Sequence, residues 1–258
     1  MKTVRVMYLS ALIVAASAVL TASLPLRASA VDSRIVSSAK ASYIFQTYLK
    51  GDEINIHSNN GVVTLTGTVA SESHKDMAQD TVANLPGVRS VDNRLTLKDE
   101  PLTPNSDRWI ADKVKTTLLF HRSVSAIDTE VDVKAGVVTL RGVASSNAEK
   151  ELATEYAKDV DGVKDVDNRM TVSPAPQKSS RTFGEKIDDA SITTQVKLAL
   201  LFHKSTSAVY TKISTRHGVV TVRGTAHNAA EKRLVTKLVE DINGVSGVKN
   251  EMSVGNAN

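Results

Sequence analysis

Apolar side chains recur along this chain in two alternating rhythms. From Ser33 to Leu49, Ile35, Ala39 and Tyr43 return every four residues, with Val36 beside the first, which predicts an amphipathic helix. The stripe comes back as Ile110, Val114 and Leu118, and again as Ile192, Val196 and Leu200. A short alternating segment follows each time: Ile54 and Ile56, Val131 and Val133, or Thr211 and Ile213. The chain then passes through Asn60-Gly61, Ala135-Gly136 or His217-Gly218 into a Val-Val-Thr run closed by Gly67, Gly142 or Gly224. Two β-rich runs joined around a glycine predict an antiparallel hairpin, because glycine tolerates the positive φ of tight turns. The closing glycines fall inside the second strand, where they mark either a bulge or a close approach of backbone to helix.

A second helix is predicted after each hairpin. Ser146 with Glu149 and Asn228 with Glu231 have capping-box spacing, and Ser73 with Asp76 is the first copy's counterpart, one position out of line. The expected buried stripe is Met77, Ala78, Thr81, Val82 and Leu85, then Leu152, Ala153, Tyr156, Ala157 and Val160, then Leu234, Val235, Leu238, Val239 and Ile242. Pro86-Gly87, Asp161-Gly162 and Asn243-Gly244 end these helices, with glycine suited to the left-handed C′ position. Last strands are expected at Val91 to Leu97, Val166 to Val172 and Val248 to Val254. The markers keep their spacing: Gly87, Gly162 and Gly244 each lie 26 residues after the hairpin glycine, and Phe45, Phe120 and Phe202 lie 16 before it. The fold class is therefore α+β: three tandem αββαβ modules, each with two helices on a three-stranded mixed sheet. Modules this small are marginally stable alone, so contacts between them are expected to matter.

The domain plan is a signal segment at 1–30, modules at 31–98, 107–173 and 186–255, and linkers at 99–106 and 174–185. The first linker carries two prolines and the second is rich in Pro and Ser, which predicts extended or mobile connections. Lys2 and Arg5 precede an apolar stretch from Val6 to Leu24, Pro25 interrupts any helix, and Ala28-Ser29-Ala30 supplies a cleavage site. This reads as a secretory signal cleaved after Ala30; the rival reading is a retained membrane anchor. The net charge of +4 falls to +1 without the first thirty residues, too little for phosphate-backbone binding, so no nucleic-acid partner is expected. There is no cysteine, hence no disulfide framework and no lipid-modified Cys. Such an export signal on small disulfide-free repeats points to the periplasm.

Gly-Val-Val-Thr-Leu-x-Gly at Gly61, Gly136 and (with Val222 for Leu) Gly218, followed by Gly-Val-x-x-Val-x-Asn at Gly87–Asn93, Gly162–Asn168 and Gly244–Asn250, resembles the BON domain. That resemblance implies a non-enzymatic envelope module with a role in osmotic stress and attachment to phospholipid surfaces. It also implies possible chaperone-like handling of unfolded client proteins as an alternative function. The motif residues Gly61, Gly67, Gly87, Asn93, Gly136, Gly142, Gly162, Asn168, Gly218, Gly224, Gly244 and Asn250 read as architectural.

The sequence offers little chemistry besides. No His pair has zinc-helix spacing, and His57, His74, His121, His203, His217 and His227 read as solvated or helix-end residues, so no metal is expected. No nucleophile elbow, P-loop or dinucleotide fingerprint occurs, so neither an enzyme nor a cofactor is expected. Asp92-Asn93 and Asp167-Asn168 become Lys249-Asn250 in the third copy, which favours capping or orienting a strand over a site. Trp109, the sole Trp, has Arg108, Lys113 and Lys115 close by and Arg122 further along. An aromatic with a basic fringe suits contact with an anionic phospholipid or membrane surface. Packing of Trp109 on its own module or the preceding linker is the alternative.

Overall fold

The computed structural model describes residues 23–98, 103, 105–124, 129–173, 187–206 and 211–255. The charged and apolar part of the signal segment, to residue 22, and most of both linkers lie outside the described residues. Module 1 comprises α1 (Ser23–Ala41), α2 (Tyr43–Thr47), β1 (Glu53–Asn59), β2 (Val62–Val69), α3 (Glu72–Ala83) and β3 (Ser90–Leu97). Module 2 comprises α4 (Asp107–Phe120), β4 (Glu130–Lys134), β5 (Val137–Arg141), β6 (Val143–Ala144), α5 (Asn147–Lys158), β7 (Asp165–Asn168) and β8 (Thr171–Val172). Module 3 repeats this as α6 (Asp189–Phe202), β9 (Lys212–Arg216), β10 (Val219–Arg223), β11 (Thr225–Ala226), α7 (Ala229–Glu240), β12 (Gly247–Asn250) and β13 (Ser253–Val254).

Each sheet is mixed as expected. The first two strands pair antiparallel, and the third returns through the second helix to lie parallel beside the second, so the orders are β1-β2-β3, β4-β5-β7 and β9-β10-β12. In modules 2 and 3 the ladder breaks at Gly142 and Gly224 and resumes as the short parallel pairs β6-β8 and β11-β13. The turn residues Asn60, Ala135 and His217 have φ of 50, 54 and 51°, followed by glycines at 78, 82 and 77°. Two successive positive φ values form a type I′ turn, whose twist matches that of the flanking strands. Gly67, at φ 118°, closes on the neighbouring strand: a Cβ there would lie 1.8 Å from the Glu53 carbonyl oxygen. The close approach is thus to a strand, not to a helix.

Several local expectations change. The first helix of module 1 starts at Ser23, so Pro25 does not interrupt it; in a first turn the missing N–H is tolerated. It also ends early, at Ala41, where Ser42 turns extended and starts the separate α2. The cap of α3 is Ser71, which accepts from the His74 N–H, not Ser73 with Asp76. Ser73 N–H instead donates to Asp112 of module 2. In the other modules Ser146 and Asn228 cap as expected, but Glu149 and Glu231 reach back to the N–H of Ser145 and His227, one residue before the cap. Leu152, placed in the buried stripe, is exposed.

The cores do not follow the module boundaries. Module 2 has a core around Val114, Leu118, Val138 and Leu140, whereas modules 1 and 3 share one, into which Phe120 of module 2 also packs. From Ala190 to Leu200 every residue of α6 is buried except Lys197. A helix covered all round needs layers on more than one side. Its own sheet, α3 of module 1 and α4 of module 2 supply them.

Ala135 pays the steric penalty of the left-handed region that Asn60 avoids in module 1. Ala135→Asn is expected to raise stability by about 1 kcal/mol, seen as a higher denaturant midpoint at unchanged m-value. A lower midpoint would mean that the turn is not type I′ in solution.

Candidate membrane-contact face and the junction between modules

Two polar devices hold every module, and both are repeated three times. The first is a carboxylate clamp. Asp32 accepts from the N–H of Asn60 and Gly61 at 2.8 and 2.9 Å and from the Ser58 hydroxyl at 2.6 Å. Asp107 grips Ala135 and Gly136, and Asp189 grips His217 and Gly218, at the same 2.8 and 2.9 Å. The clamp ties the first helix to the turn's two exposed donors. The sequence reading missed it, although each Asp stands 29 residues before its glycine, a constant interval that would have revealed it. Hydrogen bonding from Ser58 and Gly61 holds the Asp32 carboxyl below its ordinary value.

The second device is the motif asparagine. Asn93, Asn168 and Asn250 each donate from Nδ2 to a backbone carbonyl of the second helix, that of Lys75, Lys150 and Lys232 respectively. Their Oδ1 accepts the N–H two residues on, from Leu95, Met170 and Met252. The asparagines therefore orient the last strand against the helix. This architectural reading also explains why the preceding residue is free to change from Asp to Lys.

The residues of the aromatic and basic fringe separate into three groups. Trp109 is partly buried against the module 2 core, and the Lys113 ammonium sits 3.2 Å from its ring centroid. The same ammonium lies 5.1 Å from the Phe202 ring of module 3, and burial holds it below its ordinary value. Arg108 and Lys115 are exposed along α4. Arg122 lies beyond the far end of α4 and donates to the Val245 carbonyl of module 3 at 3.2 Å. The structure thus brings Trp109 and Lys113 together and gives Arg122 to the junction.

That junction is a reciprocal clasp. At the end of α4, the Phe120 carbonyl accepts from Asn243 N–H (3.0 Å) and Arg122 N–H donates to the Asp241 carbonyl (2.9 Å). At the end of α6, the Phe202 carbonyl accepts from Asp161 N–H (2.9 Å) and Lys204 N–H donates to the Asp159 carbonyl (2.9 Å). The four strips are pseudo-equivalent, so modules 2 and 3 meet through the same corner used twice, as in an isologous dimer. His121 and His203 cap the two helices at these corners, as helix-end residues, but both side chains are buried.

The side chains break the symmetry. His121 stacks on Tyr156 at 3.8 Å between centroids, and Asp241 collects His121 Nδ1 (3.1 Å), the Tyr156 hydroxyl (2.6 Å) and the Ser123 hydroxyl (2.5 Å). Burial pushes the Asp241 carboxyl up, yet these three partners together hold it below its ordinary value. In the other half Leu238 replaces Tyr156, and His203 Nε2 is 3.6 Å from Asp159, too far for a hydrogen bond. Burial holds the His203 imidazole below its ordinary value. Module 1 cannot join such a clasp: Pro86 occupies the position of Asp161 and Asn243 and has no N–H. It docks on α6 instead, through Tyr43 N–H to Asp188 (2.8 Å), Ile44 N–H to Ser191 (3.1 Å) and Thr81 to Thr194 (3.2 Å). On the helix of Thr81, Asp76, although its surface is exposed, is pushed up to about 6, first because surrounding protein displaces solvent from its carboxyl and then by the charges of Asp80, Glu72 and Asp112.

Among the described residues no cluster of His, Cys, Asp or Glu is placed to hold a metal ion, and no helix is long and apolar enough to cross a membrane. A chain of three α+β units that share turn clamps, strand locks and glycine signatures is a tandem-repeat protein of one module type. The family model for the BON domain matches residues 31–99, 106–174 and 188–256, and the chain belongs to that family. It is 31% identical to osmotically-inducible protein Y of Escherichia coli (strain K12) over 146 residues, 57% of this chain and 71% of that protein. Over 116 residues it is 34% identical to the outer membrane lipoprotein DolP of Haemophilus influenzae, covering 44% of this chain and 59% of the lipoprotein. A solved structure of CdsD, a structural protein of the type III secretion system of Chlamydia trachomatis, matches 86% of this chain and 92% of its own at 16% identity, with a TM-score of 0.23.

Two outcomes follow from the junction. Asp241→Ala strands three donors and is expected to cost roughly 2–3 kcal/mol in a chemical unfolding titration, whereas the pseudo-equivalent Asp159→Ala costs under about 1 kcal/mol. Equal losses would deny the asymmetry. Asp76 is a carboxyl whose folded value is raised from 3.8 to about 6, so its stabilising contribution is full below 3.8 and is lost as pH rises through about 6. Asp76→Asn should therefore raise the thermal midpoint at pH 8 and leave it nearly unchanged at pH 4.

Proposed function

We propose that the chain is a non-enzymatic, exported envelope protein of the osmotic-stress type, acting in the periplasm and contacting anionic phospholipid surfaces through its BON modules. The observation that carries the reading is the exposed pair Arg108 and Lys115 on α4, which flanks the half-buried Trp109–Lys113 stack. Trp109 is half-buried beneath Lys113, so the contact rests on Arg108 and Lys115 meeting the phosphates of the headgroup layer. The relatives support the setting: one is named for osmotic induction and another as an outer-membrane lipoprotein. Cleavage after Ala30 would remove the start of α1 but keep Asp32, so the first turn clamp survives maturation.

The packed junction changes how such a protein would bind. Modules strung on mobile linkers would gain avidity by linkage. Modules that share a core present their contact faces in one fixed arrangement, so the ordering cost of binding is already met in the free protein. Mature protein is expected to co-sediment with vesicles of phosphatidylglycerol and phosphatidylcholine at low salt. The variant Arg108→Gln/Lys115→Gln, which leaves the Trp109–Lys113 stack in place, is expected to bind about twenty-five-fold more weakly, at about fivefold for each cation removed. No binding of the wild-type protein, together with suppressed aggregation of an unfolded client, would replace the lipid reading with a chaperone-like one.

A further inference from the structure

The three modules present the same outward sheet face, which allows a comparison position by position. In module 1 that face carries Glu53 and Asp92 against Arg94, and Arg94 is already paired with Asp92. In module 2 four carboxylates (Glu130, Asp132, Asp165 and Asp167) stand against three cations. Module 3 inverts the balance: Lys212, Arg216, Arg223 and Lys249 stand against Glu251 alone. All four cations are exposed, and Glu251 is engaged by Arg223 at 2.7 Å. Among the described residues no carboxylate pairs with Lys212, Arg216 or Lys249. The strand register puts Arg216 beside Val219, Thr221 between Ser214 and Lys249, and Lys212 beside Arg223. With strands about 4.8 Å apart, these charges lie within roughly one or two Debye lengths of one another and act together.

We infer that this face is a second docking surface for an anionic bilayer, distinct from the Trp109 helix; the inference deepens the membrane reading above and rests on it. Charge complementarity selects the partner. The face is a three-stranded sheet with Val219 and Thr221 at its centre and no aromatic ring on which a base could stack, so it suits a planar layer of phosphate headgroups better than a nucleic-acid strand. The family signature does not dictate it, because Gly218, Gly224 and Asn250 would be satisfied by the neutral or acidic faces that modules 1 and 2 carry.

The test uses the mature three-module protein and vesicles of phosphatidylglycerol and phosphatidylcholine. Lys212→Gln/Arg216→Gln/Lys249→Gln is expected to lower the vesicle partition coefficient about a hundredfold, at about fivefold for each basic residue removed. The matched change on module 2, Lys134→Gln/Arg141→Gln/Arg169→Gln, should alter it less than threefold. Unchanged thermal midpoints in both variants exclude unfolding as the cause. If the wild-type protein binds and the module 3 variant binds equally well, this face is not used, while the membrane reading stands. If the wild-type protein does not bind, the membrane reading fails and this inference with it. Tighter binding to a duplex oligonucleotide than to vesicles would overturn the choice of partner.

Discussion

Helix α6 has almost no side left for solvent, and that constraint shapes the whole molecule. A module of about seventy residues buries too little apolar surface to be secure alone. Here the deficit is met by giving one helix three neighbours. Its apolar stripe at Ile192, Val196 and Leu200 packs into its own module, while Ser191, Thr194 and the rest of its far side lie beneath modules 1 and 2. Hydroxyls facing hydroxyls, as Thr194 faces Thr81, let some polar side chains sit inside that contact, while Gln195 Oε1 on the same helix is buried without a partner.

The module fold was legible because its determinants are local and repeated. Helix stripes, strand alternation, turn glycines and the parallel return of the third strand all stand where periodicity placed them. The misses have physical causes. Ser73 looked like a cap from its spacing, but Ser71 is the residue whose backbone turns extended before α3. Leu152 belongs to the right helix face in the register of its copies, yet nothing covers it there. The turn clamp escaped because a helix-start Asp suggests only a favourable dipole, and its long-range partner shows only once the interval to the glycine is compared across copies.

Module arrangement was not legible, because it lives in positions where the copies differ. Gln46, His121 and His203 occupy one site; Thr81, Tyr156 and Leu238 another; Pro86, Asp161 and Asn243 a third. Each difference is minor within a module. Together they decide which corners pair and how firmly: Tyr156 and Asp241 complete a hydrogen-bonded set around His121, while Leu238 leaves its counterpart loosely held. The candidate site was only half visible for the same reason. Lys113 was read as a surface cation, but the neighbouring module draws it over two aromatic rings. The basic sheet of module 3 was overlooked because a nearly neutral total charge conceals an uneven distribution.

The proline at the corner of module 1 also bears on assembly. A chain made from its N-terminus completes module 1 first, and with three copies of one fold the first danger is premature union of the wrong neighbours. Without a donor at Pro86, the corner of module 1 offers the Phe120 carbonyl no backbone N–H, so that acceptor is left to Asn243 of module 3. One missing hydrogen thus acts as a sorting rule among near-identical siblings.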